Sequence, residues 1–423
     1  LFLLLTGILL IHAAGCSAIP TLEPTATPAL PTAPPAPTVT PFPTQETTPK
    51  DSTIPLVIWL PPQFNPDLDT NASRLLKDRL AQFEQDNPHL KIHYRIKDES
   101  GPASLLKSLT AASKVASQSL PDLVLFPDQA VRDAFNNSLI YPYPTAIPSS
   151  EDSDWYSLVG QLGTFQEKTY SLPFGVDALM MVYNTRLTEE IPANWDDLLR
   201  SGYTFSFPAA DPAAIFTLAL YLSEDGQLST DDNSILIEAD PLTNVLEFYS
   251  QAGSNALLPP DIASLELDSE SWEKFIYGGR QVTVTWSSRY LTLIDDTLTG
   301  TPLLTRDGDP ITLVRGWGWA LTNPDPNKQL AAAELARYLT ETDFSGRWTQ
   351  AAHLLPLRPN ALTAWSNQDH RILASQLTTA AQAVPPEDIL NRSGKLIMQA
   401  VIHTLTGELT ASEAAILAAS SIE

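Results

Sequence analysis

Cysteine is nearly missing from this chain: Cys16 is the only one in 423 residues. No internal disulfide can form, so the fold must rely on packing. Basic residues are scarce as well. Lys and Arg number 25 against 49 Asp and Glu, a formal net charge of −24. Such a field repels polyanions, which excludes nucleic acid as an expected partner. Charged residues make up only 17% of the chain. The apolar run at 1–14 falls short of the ~20 residues that span a bilayer, so it is not a stable transmembrane helix. Motifs of catalysis are missing too: no HExxH, no nucleophile elbow and no glycine-rich phosphate loop. Adjacent carboxylates occur at Glu189/Glu190, Asp196/Asp197, Asp231/Asp232 and Asp295/Asp296. Neighbours in sequence point to different sides, so these pairs do not make the facing carboxylates of a glycosidase. No catalytic residue, cofactor or metal site is therefore expected, His89 and His93 included.

What the chain does have is 43% hydrophobic residues, enough for a packed core, and 36 prolines. Its length implies two or three domains at roughly 150 residues each. Residues 1–14 have the length of a signal-peptide core. Ala13, Ala14 and Gly15 then lead into Cys16, an arrangement that resembles a bacterial lipobox with Cys16 as the lipidated residue. Ala13 departs from the more usual leucine. Two or more lipid chains suffice for stable anchoring. Residues 17–53 are dominated by Pro and Thr and read as an extended, disordered linker that lifts the rest off the membrane.

From Ile54 the texture changes. "IPLVIWL" (54–60) reads as a buried strand, 70–87 as a helix, "LKIHYRI" (90–96) as a strand, 102–118 as a helix and "PDLVLF" (121–126) as a strand. This alternation opens a parallel α/β sheet. Ligands of such sheets bind outside the carboxyl ends of the strands, which makes Trp59, Phe126 and Asp128 candidates. In "TYSLPFGVDALMMVYNTRL" (169–187) Asp177 stands alone among apolar residues, with Phe174 nearby. A carboxylate there costs several kcal/mol unless it is paired or solvated. Either the mouth of a cleft or a structural cap or buried salt bridge would satisfy it.

Two later stretches add candidates. In "GGRQVTVTWSSRYL" (278–291) Val282, Val284 and Trp286 share one strand face, and Ser287 or Ser288 can cap a helix carrying Tyr290. In "ITLVRGWGWALTNPDPNKQLAAAELARYL" (311–339) Arg315, Trp317 and Trp319 share one face, able to line a pocket or plug a core. Gly316, Gly318 and Ala320 leave the other face bare for close backbone approach. Asp325 then caps a helix that begins at Pro326.

Together these stretches resemble the bacterial extracellular solute-binding proteins of the sugar-binding type, which serve ABC importers. The resemblance runs from about Leu56 to about Asn360, through "LVIWLPP", "PDLVLF", "YSLPFGVDALMMVYN" and "LLPLRPNAL". It implies a two-lobe, periplasmic-binding-protein-like α/β fold of type II, each lobe a mixed sheet flanked by helices, with the ligand cleft between lobes. By that pattern 54–176 with 316–360 form lobe one, and 177–315 with 361–423 form lobe two. The implied contacts fall at Leu60, Pro61, Phe126, Asp128, Asp177, Trp286, Ser287 and Trp317. The prolines after the first strand stand where sugar-binding members often carry a polar contact. The implied role is a monomeric, extracytoplasmic, lipid-anchored protein that captures a small solute, a sugar or oligosaccharide, and delivers it to ABC permease subunits. A surface sensor or scaffold of the same fold, or a carbohydrate-active enzyme, are the alternatives.

Overall fold

The computed structural model describes residues 53–115, 120–145, 153–229, 234–293 and 295–422. The expected signal segment and nearly all of the expected linker, with Cys16, lie outside the described residues, as does Ile294. The described chain opens with β1 (Ile54–Leu60), α1 (Asn71–Asp86), β2 (Leu90–Ile96), α2 (Leu105–Val115) and β3 (Leu123–Pro127). The first two strands coincide with the runs expected for them. Thr70 starts α1 by accepting the Ser73 N–H at 3.1 Å, and Leu76, Leu80 and Phe83 then recur at helical spacing on its buried face. β1 pairs in parallel with both β2 and β3, as the strand–helix alternation implies.

Next come α3 (Asp128–Asn136), α4 (Leu158–Gly163), the short hairpin β4 (Thr164–Phe165) and β5 (Lys168–Thr169), and then β6 (Ser171–Asn184). β6 is almost continuously apolar because it is buried on every side. Leu172 and Phe174 join one core; Val176, Ala178, Met180 and Val182 a second; Leu179, Met181 and Tyr183 a third. Further along are α5 (Trp195–Arg200), β7 (Phe205–Ser206), α6 (Ile215–Ser223), α7 (Ala239–Ser254), α8 (Asp268–Ile276), β8 (Val282–Trp286), α9 (Ser287–Leu291) and β9 (Leu298–Thr301). β10 (Thr312–Leu321) returns antiparallel to both β3 and β6. Closing the chain are α10 (Pro326–Leu339), α11 (Thr342–Ala352), α12 (Gln368–Thr379), β11 (Ala381–Ala383), α13 (Glu387–Thr406) and α14 (Ala411–Ser420).

The strand order β2-β1-β3-β10-β6-β8-β7 explains the two-lobe architecture. The first three strands carry α1, α10 and α11 on one face and α2 and α3 on the other. At the far end β8 and β7 pack against α5, α6, α7, α13 and α14. Among the described strands only β6 and β10 belong to both ends, so they are the segments by which the sheet is carried across. Their close approach needs small residues: a Cβ at Gly318 would collide with Ser171 Oγ, and one at Gly316 would lie 2.7 Å from Val176 Cγ1. Asp325 caps α10 as expected, accepting the Asn327 N–H at 2.9 Å ahead of Pro326. Among the described residues no helix is long and apolar enough to cross a membrane.

Candidate functional site

Where β3, β10, β6 and β8 lie side by side, their registers step a diagonal line of residues across the molecule. Trp317 stands opposite Pro127 and Gly175, Arg315 opposite Asp177, and Leu179 opposite Trp286. Directly opposed residues share a face, so Arg315 and Asp177 meet there. The Arg315 guanidinium donates to Asp177 Oδ2 at 3.1 Å and lies 4.0 Å over the Trp286 ring. Its side chain remains 49% exposed.

Asp177 itself is only 1% exposed. Of the readings open for it, the structural cap and ion pair is the one found. Oδ1 accepts from Ser287 Oγ at 3.0 Å and from the Ser288 N–H at 2.8 Å; Oδ2 accepts from Ser288 Oγ at 2.8 Å. The carboxylate thus caps α9 from a different strand. Trp286, not Ser287, occupies the N-cap position of that helix, and its side chain makes no capping bond. Ser287 is fully buried and accepts the Ala178 N–H at 3.0 Å, which ties α9 to β6.

A cavity of about 290 Å³ opens beside this line, lined by Asp268, Trp286, Ser288, Arg289, Thr292, Arg315, Ala352 and His353. Ala352 and His353 arrive at the end of α11, on the β1–β3 side; the others come from α8, β8, α9 and β10. His353 terminates α11 in the left-handed region, at φ 57°. Arg289 donates to Asp268 Oδ2 at 2.7 Å. Two residues along β10 from Arg315, the half-buried Trp317 donates from Nε1 to Glu99 Oε1 at 2.6 Å and meets Phe64 edge-on at 5.1 Å. Gln63 Nε2 donates to the same oxygen at 2.6 Å. So the segments that follow β1 and β2 do converge, as the strand-end rule implies, and they meet the middle of β10 through residues that rule did not single out. Gln63 sits in the turn that follows β1, and Glu99 lies just past β2. Arg289, Asp268 and His353 had no local signal.

Other expected contacts are placed elsewhere. Trp59 and Phe126 point into the core under α2 and α3, and neither has appreciable exposure. Phe174 stacks on Trp348 at 3.9 Å and leans on Trp319 at 5.4 Å, so both belong to the core over α1, α10 and α11. Trp319 plugs that core rather than lining the cleft. These four present no surface to a solute in this conformation. Tyr290 lines a different cavity of about 770 Å³, with His370 edge-on at 5.9 Å. Asp128 begins α3 and accepts the Gln129 N–H at 2.8 Å. Burial pushes its carboxyl up to about 6, against the opposing pull of the Gln129 and Gly316 backbone N–H groups and the Arg315 charge. The space beside it is about 20 Å³, room for a water and not for a sugar.

A sequence model of bacterial extracellular solute-binding proteins matches residues 78–374, and the chain belongs to that family. Solved structures agree on the fold. A cyclic α-maltosyl-1,6-maltose-binding protein from Arthrobacter globiformis superposes with a TM-score of 0.72 at 17% identity, covering 88% of this chain and 98% of that one. The sugar-binding protein MalE from Xanthomonas citri gives 0.71 at 16% identity, covering 87% and 96%. An ABC transporter solute-binding protein from Thermotoga lettingae, bound with α-D-tagatose, gives 0.63 at 19% identity, covering 87% and 98%. A comparison with curated proteins gives no match.

Proposed function

We propose that this chain is an extracytoplasmic, lipid-anchored solute-binding protein that captures a sugar or oligosaccharide between its lobes and delivers it to an ABC import permease. The observation that carries the reading is the Trp286–Arg315–Asp177 line. Arg315 and Asp177 sit on the two crossing strands and Trp286 at the end of β8, beside a cavity of about 290 Å³ whose walls come from both ends of the sheet. A solute there touches both lobes, and ligand that touches both favours the closed arrangement. Micromolar affinity needs about −8 kcal/mol, within reach of several charge-assisted hydrogen bonds together with contact against the Arg315–Trp286 stack. Sugar binding by the structural relatives and the family's extracellular character support this reading. The lipid anchor rests on Cys16 and the small residues before it. We place lobe one at 54–176 with 316–360 and lobe two at 177–315 with 361–423.

The test is a thermal-shift screen of the purified chain against mono- and oligosaccharides, polyols, amino acids and peptides. A saturable rise with a saccharide is expected, because ligand bound only to the folded state adds about 2.7 kcal/mol at a hundredfold excess over Kd. A rise confined to amino acids or peptides overturns the sugar assignment.

A further inference from the structure

We infer that the solute is an anionic saccharide, one bearing a carboxylate or an equivalent acidic group, and that Arg315 is the residue that selects it. The inference rests on the cleft reading above. It starts from how fully Asp177 is used. An ionised carboxylate offers about four lone-pair sites. Those of Asp177 already receive Ser287 Oγ, the Ser288 N–H, Ser288 Oγ and Arg315. No site is left for a sugar hydroxyl, so the role of Asp177 is to hold Arg315.

Arg315 in turn changes what Trp286 can do. A neutral pyranose stacks its apolar face on an open aromatic ring; here a guanidinium lies 4.0 Å over that ring. The face presented is that of a cation held over the ring and tied by one ion pair. Arg315 spends one of its donors on Asp177 while its side chain stays 49% exposed. A planar fork with unspent donors matches a carboxylate or phosphate in two-point fashion, while neutral hydroxyls use it less well.

The charge of the cavity points the same way. The chain carries −24 overall, yet the cavity is lined by Arg315 and Arg289 with Asp268 as its one carboxylate. Arg289 Nε is buried without a hydrogen-bond partner among the described residues. Asp268 pairs with Arg289, so the charge left facing the cavity is the half-exposed Arg315 guanidinium, whose own partner Asp177 lies buried, and an acidic guest meets that cation better than a neutral one.

The experiment is calorimetric titration of the full chain with maltotriose, trigalacturonic acid and glucose 6-phosphate, repeated for Arg315→Gln and Arg315→Lys. At least one acidic ligand should bind tenfold or more tightly than maltotriose. Arg315→Gln should weaken that ligand at least tenfold and weaken maltotriose by less, so that the preference for the acidic ligand collapses. Arg315→Lys, which keeps the charge and loses the fork, should fall between, and it serves as the test should the glutamine variant fail to fold. Maltotriose binding as tightly as the acidic ligands, or an acidic ligand indifferent to both variants, overturns the inference and leaves the sugar-binding reading standing. Binding by none of the three overturns the inference, and the earlier screen then decides the reading beneath it.

Discussion

Asp177 and Asp128 flank the same stretch of β10, and they solve burial in opposite ways. Asp177 is the more deeply sequestered, 1% exposed, and it accepts four hydrogen bonds, one from a guanidinium. Asp128 is less buried, but its side chain rests on its own helix's Gln129 N–H and on the Gly316 backbone, and burial pushes its carboxyl up to about 6. The contrast shows that depth alone does not set the cost of a buried charge. The number and charge of the donors around it do. It also separates two kinds of contribution: Asp177 positions the groups that line the cleft, whereas Asp128 is a cost the fold carries at neutral pH.

The strongest way to break the comparison is to remove the better-served partner. Asp177→Asn leaves Arg315 without its counter-charge and puts an amide N–H₂ among the donors Ser287, Ser288 and Arg315. Breaking a buried, hydrogen-bonded pair from one side costs about 3–5 kcal/mol, and because Arg315 is half exposed the expected loss is about 3 kcal/mol. Urea unfolding at pH 7 reads it directly. A double-mutant cycle with Arg315→Gln should return a coupling of about 1 kcal/mol or more. A loss below about 0.5 kcal/mol, the scale of an ordinary surface change, would show that this network does not hold the crossover.

Asp128 should respond with the opposite sign. Its folded-state value of about 6 lies above the ordinary 3.8, so the native protein holds this proton more tightly than the unfolded chain. Stability from this group is therefore full below about pH 4, declines as pH rises through 4–6, and is lost above that. Asp128→Asn removes the decline. It should stabilise the protein at pH 8 by about 1–2 kcal/mol, allowing for partial solvent screening, with the advantage vanishing near pH 4. Melting temperatures of both proteins across pH 4–8 measure this, and a constant offset would refute the assignment.

How much of this was legible in the sequence depends on what each residue's neighbours in the chain could say. β1 and β2 were readable to the residue, and the Asp325–Pro326 start of α10 likewise, because run length, alternation and capping are local. β3 begins two residues into the stretch 121–126 expected for it, since Asp122 is taken up in bonds to the Val57 N–H and Asn323, each at 2.7 Å. Trp59 and Phe126 were rightly placed at strand ends. Which side of the sheet they face was not readable, because β1 is buried on both faces toward its end and no polar side marks the outside. Leu56, Ile58 and Leu60 face one core while Trp59 faces the other. The convergence of Asp268, Arg289 and His353 on Arg315 comes from tertiary packing, which no window of sequence contains.

The finest test of the comparison removes a single donor. Ser288→Ala deletes the hydroxyl that donates to Asp177 Oδ2 at 2.8 Å and keeps the backbone N–H that donates to Oδ1. If Asp177 tolerates its depth because four donors share the charge, dropping to three should cost about 1.5 kcal/mol, the low end for one hydrogen bond to a charged group because the site is part-buried. The urea midpoint should fall with the slope unchanged, since the surface exposed on unfolding barely differs. Ser288 also lines the cavity, so a unit change in ligand affinity alone could mislead; the unliganded midpoint is the decisive quantity. A midpoint identical to the parent would mean that solvent replaces the hydroxyl, and that three protein donors already suffice to hold Asp177 beneath Arg315.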